Sequence, residues 1–81
     1  MTSVKNITHK KIPKNIARGL AYCDTGNIVI DERLKGQDHL YILIHEILHI
    51  QNIQWSEIKV IGHAQELAKL LWENNYRRVD L

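Results

Sequence analysis

Cysteine is almost missing from this chain. Cys23 is the only one in 81 residues, so no internal disulfide can form, and a reducing compartment is the matching expectation. The same count rules out metal sites built from two or four cysteines. No apolar h-region follows Met1-Thr2-Ser3-Val4-Lys5-Asn6, so no secretory signal is visible. No apolar run approaches the roughly 20 residues that a membrane span needs. These absences together predict a cytoplasmic protein without a membrane partner. Repeats, linkers and low-complexity stretches are lacking too, and the length suits one small domain over residues 1–81.

Charge of one sign is also lacking. The formal net charge is +2, with acids and bases interspersed, which is too mild by itself to indicate a nucleic-acid partner. Basic residues do gather at Lys10, Lys11, Lys14 and Arg18, and again at Arg77 and Arg78. The plainer account of both groups is the solvated ends of a small domain. The hydrophobic share of 44% suits a globular chain. A core this small is marginal, and a bound metal would add stability.

What the chain does have is His45-Glu46-Ile47-Leu48-His49, an H-E-x-x-H pattern. It lies among Leu40, Tyr41, Ile42, Leu43, Ile44 and Ile50, a stretch apolar almost all round and therefore a buried helix. Residues four apart share a helix face, so His45 and His49 can offer two imidazole nitrogens to one ion. Glu46 is turned about 100° from His45, placing its carboxylate beside a metal-bound water rather than on the metal. Two ligands, an open position and an adjacent base are what a zinc hydrolase requires. Buried polar groups without partners cost a few kcal/mol each, roughly, and Zn2+ is a good partner for these three.

Around this helix the pattern predicts an α+β fold, a small antiparallel sheet packed on two helices. Residues 1–18 carry widely spaced Val4, Ile7, Ile12 and Ile16 with Pro13 among them, which disfavours a helix and suggests an edge strand or extended arm. Residues 19–31 read as a hairpin, with Leu20 and Tyr22 and then Ile28 and Ile30 alternating on either side of the turn Asp24-Thr25-Gly26-Asn27. Glu32 to Gly36 is a connection. The motif helix spans about 37–51, and Asn52 to Trp55 break it. Ser56 is a good N-cap for a second helix over about 57–75. Trp55 and Trp72 read as core.

A catalytic zinc site needs a third protein ligand. Glu57, His63, Glu66 and Glu73 lie downstream. With about 100° per residue, Ile61, Ala64, Ala68 and Leu71 all fall within about 40° of Glu57, so Glu57 heads the apolar seam. Glu66 faces the opposite side, and Glu73 shares neither the seam nor the first turn. Both read as surface charges. Only seven residues separate His49 from Glu57, which brings the first turn of the second helix close to the end of the first. His63 lies about 9 Å further along the axis and remains the alternative third ligand.

The combination of a strand such as Ile28-Val29-Ile30-Asp31, the sequence Arg33-Leu34-Lys35-Gly36, the H-E-x-x-H helix and a helix opening at Trp55-Ser56-Glu57 resembles the zincin metallopeptidases. The nearer likeness is to very small metallopeptidase-like proteins of phage and bacterial genomes, over roughly residues 19–78. The resemblance implies a zinc-dependent peptidase with Glu46 as general base, His45, His49 and Glu57 as metal ligands, and a peptide or protein substrate. It also implies that the substrate adds as a strand to Ile28–Asp31. In larger zincins a glutamate ligand usually lies further along than Glu57. SprT-like proteases use a histidine at about the distance of His63, normally followed by glycine; here Gly62 precedes it. Tyr76 and Arg77 are candidate oxyanion donors. Asp31, Asp38 and Asn52 are candidate partners for the ligand histidines. Two other classes compete: a non-catalytic, zinc-stabilised binding module, and a small nucleic-acid binder using the basic ends.

Overall fold

The computed structural model describes residues 3–79, so Met1, Thr2, Asp80 and Leu81 lie outside it. Its elements run β1 (Asn6–Lys10), β2 (Gly19–Tyr22), β3 (Asn27–Asp31), α1 (Gly36–Gln51) and α2 (Glu57–Glu73). This is the expected α+β fold. The hairpin of β2 and β3 is antiparallel, with Leu20 opposite Val29 and Ala21 opposite Ile28. Gly26 makes its turn possible at φ 82°, a left-handed conformation in which a Cβ is penalised. The expected edge strand forms at β1, but it pairs parallel to β3. The sheet is therefore mixed, in the order β1-β3-β2. A parallel neighbour requires a crossover connection. Residues 11–18 supply part of it, with the buried Ile12 and a turn in which Ile16 N–H donates to the Pro13 carbonyl.

The two helices do not share the sheet face, as a two-layer reading would have it. α1 packs on β2 and β3, while α2 packs on α1 and on no strand among the described residues. α1 is thus the middle layer, and this explains its near-continuous apolar sequence. Ile42 and Ile50 join Ile28 and Ile30 on the sheet side. Ile44 and Leu48 join Val60, Ala64 and Ala68 on the α2 side. Burying an isoleucine such as Ile28 or Ile30 contributes about 2 kcal/mol, so both seams are needed to hold so short a chain.

The helix ends follow local chemistry. Ser56 Oγ accepts a hydrogen bond from Lys59 N–H at 3.2 Å, capping α2 as its sequence implies. α2 stops at Glu73, two residues short of the expected end, because Asn75 turns left-handed at φ 66° and Tyr76 N–H donates back to the Leu71 carbonyl. α1 begins after Lys35 with no side-chain cap. It ends where the Asn52 backbone and side-chain N–H groups both donate to the Leu48 carbonyl.

Candidate metal centre

The middle helix presents His45 and His49 toward the start of α2. Their Nε2 atoms lie 3.1 Å apart. The short link from Gln51 to Ser56 returns the chain so that Glu57, the first residue of α2, reaches both rings. Glu57 Oε1 is 2.9 Å from His45 Nε2, and Oε2 is 2.9 Å from His49 Nε2. All three residues offer ligand atoms within 4.8 Å of one another. Donors bound tetrahedrally at 2.0–2.1 Å stand about 3.3 Å apart, so this triangle is only slightly tighter than a zinc ion would set it. The chemistry also suits the ion: two imidazoles and a carboxylate. The imidazoles are part-buried, whereas the Glu57 side chain is 59% exposed, so the carboxylate forms the rim of the site rather than pointing into the core.

Burial holds the His45 imidazole below its ordinary pKa; the Glu57 charge opposes this and the neighbouring His49 ring reinforces it. A neutral ring is the form that binds metal. Tyr41 supplies an orienting contact, its hydroxyl oxygen lying 3.3 Å from His45 Nδ1. With Nε2 left as the ligand atom, Nδ1–H donates to that oxygen and fixes the tautomer.

Glu46 leaves the same helix in another direction, toward β2. It is only 8% exposed, and it makes no hydrogen bond or ion pair with a described residue; its carboxylate oxygens keep access to solvent, since no fully buried side-chain oxygen among the described residues lacks a partner. Burial, and secondarily the Glu57 charge, push its carboxyl up to about 7. Gly19 of β2 lies over it: a Cβ at Gly19 would stand 2.9 Å from Glu46 Oε2. The glycine thus lets the strand backbone approach the carboxylate closely.

Other expected participants are elsewhere. His63 is exposed, and its ring lies against Trp55 with centroids 4.7 Å apart, outside the donor cluster. Asp31 binds Arg33, Asp38 lies 3.7 Å from Arg18, and Asn52 caps α1; none of these three hydrogen-bonds to His45 or His49. Arg77 stacks over Trp72, 3.7 Å from the ring centre. Trp72 in turn neighbours Gly36, at the opposite end of α1, so Arg77 is not brought to the site. Tyr76 is exposed in the same tail. Trp55 does pack against the α1–α2 seam, and Trp72 is half-buried. Glu66 and Glu73 are exposed, as expected. The strand Ile28–Asp31 is β3, paired on both sides, and so has no free edge for a substrate. Sequence reasoning missed Tyr41 and Gly19. Tyr41 sits four residues before His45, a spacing that places both on one helix face, and that signal was available. Nothing in the sequence marked Gly19. Comparison with protein-family models, with curated proteins and with solved structures finds no match to this chain.

Proposed function

We propose that this protein is a zinc-dependent metallopeptidase of the zincin type, acting on peptide or protein substrates in the cytoplasm. The observation that carries the reading is the convergence of Glu57 on both motif histidines, 2.9 Å from each, with a largely buried Glu46, free of hydrogen bonds to the described residues, on the next helical position. His45, His49 and Glu57 would hold the ion. Bound there, zinc supplies Lewis acidity toward a water and a carbonyl oxygen. Three protein donors leave a position open, as in catalytic rather than structural sites.

The chain's own groups then have distinct tasks. Glu46 is the general base and takes a proton from the attacking water. Once protonated, it can return that proton to the leaving amine. Tyr41 holds the His45 ring in register. β2 is an edge strand whose outer side is unpaired among the described residues, and it runs directly over Glu46. An extended substrate that pairs with β2 would bring its backbone to that carboxylate. This moves the substrate strand from β3 to β2, while the pairing principle is unchanged.

The test is Glu46→Gln, assayed for bound zinc and for hydrolysis of unfolded protein. Retained zinc with hydrolysis lost by at least a hundredfold is the expected result. Unchanged hydrolysis would remove the peptidase reading, and absence of zinc from the wild-type protein would remove the metal.

A further inference from the structure

The three-stranded sheet is wider than the one helix that covers it. α1 packs on β2 and β3, and no packing of α1 on β1 is found among the described residues. Ile7 and His9 of β1 nevertheless face the α1 side, because alternate residues of a strand share a face. Among the described residues β1 reaches α1 through a histidine pair: His9 Nε2 and His39 Nε2 are 2.9 Å apart, with ring planes at 19°. A cavity of about 610 Å³ opens between β1, the start of α1 and the chain that follows α2.

Its wall is apolar, with Ile7, Leu40, Leu43 and Trp72. Its polar groups are the paired His9 and His39 and three cations, Lys35, Arg77 and Arg78, and no aspartate or glutamate among the described residues lines it. None of the three cations has a carboxylate partner among the described residues. Arg77 is immobilised on the Trp72 ring, so one cation is held against the apolar wall. A concave, mostly apolar space of this size with a few convergent charges is the ordinary form of a small-molecule site.

We propose that this cavity binds an amphiphilic carboxylate: the anionic head among Lys35, Arg77 and Arg78, and an alkyl or leucine-like body against Leu40, Leu43 and Trp72. Charge complementarity selects the head, since grouped cations with no carboxylate partner among the described residues favour an anion. The apolar wall selects the body. The site is separate from the histidine–glutamate cluster, which faces α2 near the far end of α1, and it stands whether or not the peptidase reading does. The same chemistry could reach it as a free carboxylic acid or as the C-terminus of a peptide ending in leucine.

The experiment is an NMR titration of the full-length, isotope-labelled chain. The probes are sodium octanoate below its aggregation threshold, an N-acetylated tripeptide ending in leucine with a free carboxylate, and 1-octanol as the uncharged counterpart of the first. Saturable shifts are expected at residues of β1, the first two turns of α1 and residues 72–78. Octanol should bind at least tenfold more weakly than octanoate. Lys35→Gln with Arg78→Gln should weaken octanoate at least fivefold, with the remaining signals unmoved to show that the fold persists. Whichever of octanoate and peptide saturates at lower concentration identifies the source. Shifts that neither saturate nor localise for either anion, equal binding of octanol, or undiminished binding by the double variant would each overturn the proposal.

Discussion

Gly19 and Glu46 fit together because one of them has no side chain. A Cβ at position 19 would come within 2.9 Å of Glu46 Oε2 and 2.7 Å of Ile42 Cγ2. The second atom belongs to a branched side chain that is itself buried, so it cannot simply swing away. Gly19→Ala should lift β2 from α1 and cost about 1–3 kcal/mol, the usual range for overpacking. It should also displace the carboxylate that the proposed chemistry uses. Urea denaturation and hydrolysis rates, measured on the same preparation, check both effects. A variant as stable and as active as the parent would show that the approach is looser than described.

Glu46 also makes a prediction about pH in the metal-free protein. Its carboxyl is raised from 4.5 to about 7 by burial first and by Glu57 second. For an acid with a raised folded-state pKa, the unfolded chain ionises more readily. The contribution of the protonated form is therefore fully present below about pH 4.5 and is lost as pH rises through 7. By linkage the loss is on the order of 2–3 kcal/mol. His45, lowered by burial, works in the opposite sense, since its protonation on acidification costs stability. The comparison that isolates Glu46 is wild type against Glu46→Gln, by chemical denaturation at pH 5 and pH 8 in chelator. The glutamine variant should gain on the wild type at pH 8 relative to pH 5. Parallel behaviour at the two pH values would mean that the carboxylate is not buried as described. A bound cation should erase the difference, because a nearby positive charge favours the ionised form.

The proposed ligand set separates two residues that the sequence left in competition. Glu57 bridges both histidines, whereas His63 lies on Trp55. Glu57→Ala should lower zinc affinity by at least tenfold, measured by competition with a chromophoric chelator. His63→Ala should leave it within about twofold, because deleting a side chain that is no ligand costs at most a little surface packing. The reverse ranking would transfer the third ligand to His63 and bring the SprT-like reading forward.

The fold was legible wherever one local rule governed a segment. Ser56 announces α2, and Gly26 announces the hairpin turn. The apolar run around His45 announces a buried helix. Failures came where partners distant in sequence decide. β1 has no local feature that tells parallel from antiparallel pairing, because that choice is made by the path of residues 11–18 and by β3. That α2 packs on α1 and on no strand among the described residues could not be read from its amphipathic stripe, which fits any apolar surface. At the site, the convergence of Glu57 with His45 and His49 could be reasoned out because helix phase and a seven-residue gap are both local. The expected partners of the histidines could not be, since Asp31, Asp38 and Asn52 each find nearer uses.

One of those nearer uses can be tested. Asp31 is buried at the end of β3 and takes two hydrogen bonds from the Arg33 guanidinium, at 2.9 and 2.6 Å, and one from the Arg33 backbone N–H at 3.0 Å. The same guanidinium donates to the Ile12 carbonyl at 2.6 Å. This pair therefore ties the end of β3 to the segment that follows β1 and keeps the parallel strand in place. The Arg33 side-chain hydrogen bonds, more than any other cause, hold the Asp31 carboxyl down at about 2. An acid with a lowered folded-state pKa stabilises the fold above its ordinary value near 3.8, and the contribution fades as pH falls through 2. Arg33→Gln should therefore destabilise the protein more at pH 7 than near pH 2, where only the lost bond to the Ile12 carbonyl separates it from wild type. Amide hydrogen exchange should localise the loss to β1 and residues 11–18, while α2 stays protected. Uniform loss of protection across both helices would show that Arg33 supports the whole core rather than the junction between β1 and β3.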